Sequence, residues 1–127
     1  MNTYNPVGWF EIPVEDMDRA KTFYQSLFGV VLSNIPMPDY ELWVFPMSDD
    51  HKGIGGGLMK GEHAYHPRQW GTVIYFTAPD LDKTLEMATS LGAQIILPKK
   101  DIGAWGEIAW IVDTEGNTIG LHKAKNQ

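Results

Sequence analysis

The chain has no cysteine. Disulfides, thiolate metal sites and a cysteine nucleophile are therefore excluded, while the compartment is left open by this fact alone. Long hydrophobic runs are also missing: no window approaches the ~20 apolar residues that a membrane-spanning helix needs. The opening MNTYNPVGWFE has neither a basic region nor an apolar run, so no signal peptide is expected and the reading is of a soluble cytoplasmic protein. Positive charge is scarce, with 10 Lys and Arg against 16 Asp and Glu and a net charge of −6. That balance argues against a broad electrostatic footprint for nucleic acid. Neither nucleic acid nor a membrane is an expected partner.

What is present suffices for a core. Hydrophobic residues make up 43% of 127 positions, which suits one compact domain over 1–127 rather than a disordered chain. The organising stretch is Gly8 to Gly29, GWFEIPVEDMDRAKTFYQSLFG. Phe10, Ile12 and Val14 alternate with Trp9, Glu11 and Pro13, the period of a half-buried strand. Asp16 stands where a helix N-cap belongs. Met17, Ala20, Phe23, Tyr24, Leu27 and Phe28 then recur at helical spacing, and Gly29 can adopt the left-handed conformation that stops the helix.

The same pattern returns in Thr72 to Gly92, TVIYFTAPDLDKTLEMATSLG. Trp9-Phe10-Glu11-Ile12 matches Val73-Ile74-Tyr75-Phe76, and Asp16-Met17-Asp18-Arg19 matches Asp80-Leu81-Asp82-Lys83. Farther on, Gly57-Leu58-Met59-Lys60 matches Gly120-Leu121-His122-Lys123. A self-similar unit of half the chain means one supersecondary module built twice. Further strands are expected at Val30–Leu32, Glu41–Phe45 and Gly55–Lys60, with a turn at Ile35–Asp39 because of its two prolines. In the second half they are expected at Gln94–Leu97, Glu107–Val112 and Asn117–Lys123, with a loop over Pro98–Gly106. The fold class is therefore α+β: two βαβββ modules, at about 5–60 and 71–124, joined by a linker at about 61–70, with helices near 17–28 and 81–91.

These features resemble the vicinal oxygen chelate superfamily, which includes glyoxalase I, bleomycin-resistance proteins and extradiol dioxygenases. The doubled βαβββ, the Asp-x-Asp helix starts, the FYQSLFG helix ending and the DTEGNTIGLHK finish carry the likeness, and small glyoxalase-like proteins related to lactoylglutathione lyase look most similar. The resemblance implies strands curved into a cup, helices on the convex side and a ligand site within; it also admits a homodimer. The superfamily's enzymes hold a divalent metal through the first and last strands of each module, usually by His or Glu. Carried over, those positions are Trp9, Gly57, Val73 and Gly120. None has a side chain that can ligate, since indole nitrogen only donates and glycine and valine offer nothing. The expectation is no metal and no cofactor.

Side chains two apart on a strand share a face. Glu11 then shares the Trp9 face, Met59 the Gly57 face, Tyr75 the Val73 face and His122 the Gly120 face. Phe10, Ile12, Val14, Ile74, Phe76, Leu58, Ile119 and Leu121 take the opposite, helix-facing side. Glu11 and His122 are the candidate catalytic pair, a carboxylate and an imidazole suited to general base and acid; as polar residues on the open face of a sheet they also need no chemistry. Trp9, Glu11, Met59, Tyr75, Trp105 and His122 are the candidate ligand-binding residues, with Trp105 as a mobile wall in its glycine-flanked loop.

Other patterns have plainer explanations. Asp16, Asp18, Asp80 and Asp82 read as caps and first-turn acids. The glycines from Gly53 to Gly57 lack the Lys-Ser/Thr and helix of a phosphate loop. His63 and His66 beside Glu62 read as loop residues, and His51 as an exposed turn residue. Two functions lead: a metal-free protein binding a small, partly apolar organic molecule, or a lyase or isomerase using Glu11 and His122, with or without a relocated metal; a structural or assembly role with no ligand is the third.

Overall fold

The computed structural model describes residues 3–47, 54–61 and 71–126. Among the described residues, eight strands and two α-helices form two compact units, Trp9–Val73 in one and Met1–Gly8 with Ile74–Gln127 in the other. The class is α+β with mixed strand pairing. No helix among the described residues is long and apolar enough to cross a membrane.

In the first unit, β1 (Val7–Pro13) contributes its residues from Trp9 onward and leads into α1 (Met17–Phe28). Then follow β2 (Ser33–Pro36), β3 (Glu41–Val44) and β4 (Gly55–Lys60), in the spatial order β2-β3-β4-β1. β1 and β4 are parallel; the other two pairings are antiparallel. The Asp16 carboxylate accepts from the Arg19 N–H at 3.0 Å, and Gly29 ends α1 at φ 65°, so both ends are closed as the sequence predicts. Met17, Leu32 and Leu58 make the core, with Ile12, Val14, Ala20, Tyr24, Trp43 and Phe45 around it.

The second unit repeats this plan. β5 (Val73–Thr77) enters α2 (Leu81–Ser90), whose N-cap Asp80 accepts from the Lys83 N–H at 3.2 Å. β6 (Gln94–Asp101), β7 (Glu107–Val112) and β8 (Thr118–Lys123) complete the order β5-β8-β7-β6. Again the first and last strands are parallel and the rest antiparallel. Ala78, Leu81, Leu85, Ala109, Ile111 and Leu121 form this core, flanked by Phe76 and Ile119. The registers Glu11↔Gly57 and Tyr75↔Gly120 reproduce the repeat alignment residue for residue.

Two segments differ from expectation. Val30–Leu32 is not a strand. Gln25 captures it, its carbonyl accepting from the Val30 N–H at 3.2 Å and its side-chain oxygen from the Leu32 N–H at 2.9 Å, which drops Leu32 into the core. The strand starts afterwards and runs through the expected turn to Pro36. Proline is tolerated there because it is the last residue of a strand paired only to β3. β6 likewise continues past Leu97 to Asp101, with register shifts between Ile95 and Leu97 and between Leu97 and Lys100. Pro98 falls within the second shift, where its missing N–H breaks no ladder bond.

Candidate functional site

On β1 of the first unit, Ile12 packs toward α1, so Trp9 and Glu11 face away from it. Glu11 is 7% exposed and is the one buried charged side chain among the described residues. The Trp9 indole Nε1 donates to Glu11 Oε2 at 3.1 Å. This bond meets part of the cost of burying a carboxylate, which is high without donors. Trp9 lies along its register partner Gly55: a Cβ there would stand 2.9 Å from Trp9 Cζ3 and 3.0 Å from Met47 Sδ. Met59 is buried on the same side of β4. Gly57 is closed in by its neighbour strand, since a Cβ would press on the Trp43 carbonyl and Val44 Cα.

Sequence reasoning missed Tyr40. It follows the Pro38-Asp39 turn and immediately precedes β3, with its Cβ against Gly61, where an added Cβ would approach to 2.8 Å. Burial raises the Tyr40 phenol to about 12, with the charges of Glu11 and then Asp39 adding to the rise. The Glu11 carboxylate therefore acts on the phenol directly through space, and the phenol stays protonated at neutral pH. A tyrosine beside a two-proline turn reads locally as a turn residue; only the β3–β4 pairing sets it beside the Glu11 face.

In the second unit, Tyr75 is 3% exposed and its hydroxyl accepts from Trp110 Nε1 at 2.8 Å. Its ring covers Gly120, where a Cβ would collide with Cδ1 and Cε1. His122 Nε2 lies 2.6 Å from the Trp105 carbonyl oxygen. A carbonyl only accepts, so Nε2 carries the proton and Nδ1 is the remaining nitrogen for other work. Trp105 is 50% exposed, in a 3-10 turn over Gly103–Trp105. That turn is fastened at both ends. Asp101 Oδ1 accepts from the Gly103 N–H at 2.7 Å, and the Ile102 N–H donates to the Gly106 carbonyl at 2.9 Å. Gly106 has φ 104°, and a Cβ there would strike the Lys123 carbonyl.

The four positions that the resemblance assigns to a metal do not fit one. Trp9 spends its only polar atom as a donor to Glu11, Val73 is fully buried, and Gly57 and Gly120 are packed against backbone and ring. Among the described residues no group of three or more His, Asp or Glu is placed to hold an ion. Asp16 and Asp80 cap helices, and Asp82 pairs with Lys99 at 3.0 Å. Gly55–Gly57 begin a strand. His51, Gly53, Glu62, His63 and His66 lie outside the described residues. A cavity of about 410 Å³ opens elsewhere, on the α1 side of the first unit, lined by Ile12, Val14, Arg19, Ala20, Phe23 and Tyr24 among others.

Comparison with known proteins gives four concordant matches. Residues 7–42 match a family described as bleomycin resistance protein-like N-terminal. CFP32 of Mycobacterium tuberculosis, described as a candidate glyoxylase, is 28% identical over 121 residues, covering 92% of this chain and 45% of that protein. The chain thus spans about half the length of that relative. Methylmalonyl-CoA epimerase from Mycobacterium tuberculosis superposes with a TM-score of 0.71 at 18% identity, covering 98% of this chain and 93% of the epimerase. The Streptomyces coelicolor epimerase, solved in complex with 2-nitronate-propionyl-CoA, gives 0.70 at 15%, covering 94% and 97%. These likenesses agree with the doubled βαβββ plan and its repeated parallel pairing of first and last strands: over residues 7–42 the chain resembles the bleomycin resistance protein-like family, and it shares its fold with the epimerases.

Proposed function

We propose that this chain binds a small, partly apolar organic molecule, without the superfamily's metal. In the first unit the binding surface is offered by Trp9, Glu11 and Met59, and in the second, taken by itself, by Tyr75, Trp105 and His122. The observation that carries this reading is the buried Glu11 carboxylate under the Trp9 indole. A charged group held in an apolar strand face beside large aromatic surfaces is the usual composition of a ligand site. The indole occupies a position that the resemblance assigns to a metal ligand, so aromatic surface replaces coordination. The epimerase complex with an acyl-CoA analogue supports short acyl thioesters as the first compounds to try.

The test is a ligand screen by thermal shift and tryptophan fluorescence, with propionyl-CoA included. Loss of one anchoring hydrogen bond costs about 1–3 kcal/mol, so Glu11→Ala and His122→Ala each weaken a true ligand about five- to 150-fold. Equal binding by Trp9→Ala, Glu11→Ala and His122→Ala defeats the reading.

A second reading is a lyase or isomerase with Glu11 as general base and His122 as acid. It is favoured by the Trp105 carbonyl, which takes the Nε2 proton of His122 and so fixes the ring with Nδ1 left for proton exchange. Turnover of a screened compound by the wild type, lost in Glu11→Gln with binding retained, selects it over binding alone.

A further inference from the structure

The cavity of about 410 Å³ beside α1 lies on the opposite side of β1 from Trp9 and Glu11, and it has the size of a small-molecule site. Ile12 and Val14, where β1 ends, and Phe23 and Tyr24 of α1 form its apolar wall, with the two rings edge to face at 5.0 Å. Phe23 is nonetheless 57% exposed. Glu15 and Arg19 border the same cavity. Among the described residues the side chain of neither makes a hydrogen bond or an ion pair, with the other or with anything else. Asp16 spends Oδ1 on the cap of α1 and adds its charge to the Glu15 end. The repeat supplies an internal control. Aligned with Glu15, Phe23 and Tyr24 are Pro79, Met87 and Ala88 of the second unit, while Asp80 and Lys83 repeat Asp16 and Arg19. With those residues α2 is capped and packed on its own core. The turn from strand into helix therefore needs neither the acid at position 15 nor the two rings.

We propose that this cavity is a second binding site, separate from the sheet face described above, and that it takes a zwitterionic aromatic molecule of the α-amino acid class. The ammonium group of that molecule meets the Glu15 carboxylate, its carboxylate accepts from the Arg19 guanidinium, and its ring lies on Phe23. Charge selects this class. A bare anion answers Arg19 but is repelled by Glu15 and Asp16, and a bare cation answers the acids but is repelled by Arg19. A molecule with both charges on neighbouring groups satisfies both ends through charge-assisted hydrogen bonds. Its ring covers apolar surface that Phe23 otherwise leaves in water.

The experiment titrates the isotope-labelled full chain with L-phenylalanine, phenylpropanoate, phenethylamine and glycine at neutral pH and low salt, followed by NMR. L-Phenylalanine is expected to shift the amides of Ala20, Phe23 and Tyr24 and to leave the Trp9 indole N–H in place. It binds about three- to fivefold tighter than either single-charge compound, the range an exposed ion pair supplies, and glycine, which has no ring, shifts nothing. Glu15→Gln removes the advantage over phenylpropanoate and Arg19→Gln the advantage over phenethylamine, with the melting temperature retained in both. Phe23→Ala weakens all three aromatic compounds. The proposal is overturned if L-phenylalanine does not bind, if it binds no tighter than both single-charge compounds, or if its advantage survives both glutamine variants. A shift of the Trp9 indole with none on α1 also overturns it, because that result assigns the compound to the sheet face and leaves the function proposed there standing.

Discussion

The Tyr75 ring lies over Gly120, its register partner on the parallel strand β8. The equivalent β1–β4 pair in the first unit makes the same kind of contact one and two residues away: Trp9 covers Gly55 and Phe10 covers Gly56. These glycines are seats for aromatic rings. Gly120→Ala forces the Tyr75 ring aside and breaks its bond with Trp110. Overpacking of this kind costs about 1–3 kcal/mol. Urea unfolding of Gly120→Ala should show that loss, and Gly120→Ala with Tyr75→Leu should recover part of it.

The Trp9–Glu11 bond should be measurable as stability. Trp9→Phe keeps a ring against Gly55 but removes the only donor of the indole. Hydrogen bonds to charged groups are worth about 1.5–3 kcal/mol, so denaturant unfolding should show a loss in that range at neutral pH. Glu11→Gln in the Trp9→Phe background should recover part of it, because a neutral amide costs less to bury than a carboxylate. A loss that is the same whether residue 11 is Glu or Gln would show that the bond is not what stabilises the pair.

Helix capping gives matched tests in the two units. Asp16→Ala removes the acceptor of the Arg19 N–H, and Asp80→Ala that of the Lys83 N–H. Each should cost about 1 kcal/mol. Asp18→Ala, a first-turn acid that caps nothing, should cost less than half as much. Equal effects at positions 16 and 18 would point to charge alone rather than to the cap.

Tyr40 supplies a pH dependence with a definite sign. Its phenol is raised to about 12 from an ordinary 10.0. The folded state therefore holds the proton more tightly than the unfolded state. The resulting stability is fully present below pH 10 and is lost as pH rises through 12. Thermal melting should fall across that window more steeply in the wild type than in Tyr40→Phe. Phenolate absorbance should show one tyrosine titrating late, and its disappearance in Tyr40→Phe assigns it. Glu11→Gln should move that titration back toward the ordinary value.

Local patterns determined a large part of this protein. Period-2 alternation separated the Trp9 and Glu11 face of β1 from the Ile12 face, because side-chain direction along a strand depends only on parity. Asp16, Gly29 and Asp80 marked helix ends through backbone groups that need a partner or a positive φ within a few residues. The repeat carried the pairing, since two copies of one module reach the same parallel contact between first and last strand. The lack of donors at Trp9, Gly57, Val73 and Gly120 was likewise visible without coordinates.

Tertiary structure decided what depends on partners far along the chain. The start of β2 was set by Gln25 holding Leu32, and a propensity for strand at Val30–Leu32 could not compete with that bond and the core burial it allows. The length of β6 was set by β7, which pairs across Pro98 by shifting register. Trp105 and His122 are joined through a backbone carbonyl, an interaction that no side-chain pattern encodes. Tyr40 came within reach of the Glu11 charge only when β3 paired with β4. Burial and electrostatic neighbourhood are properties of packed strands, so the residues around a buried carboxylate became recognisable only once those strands were in place.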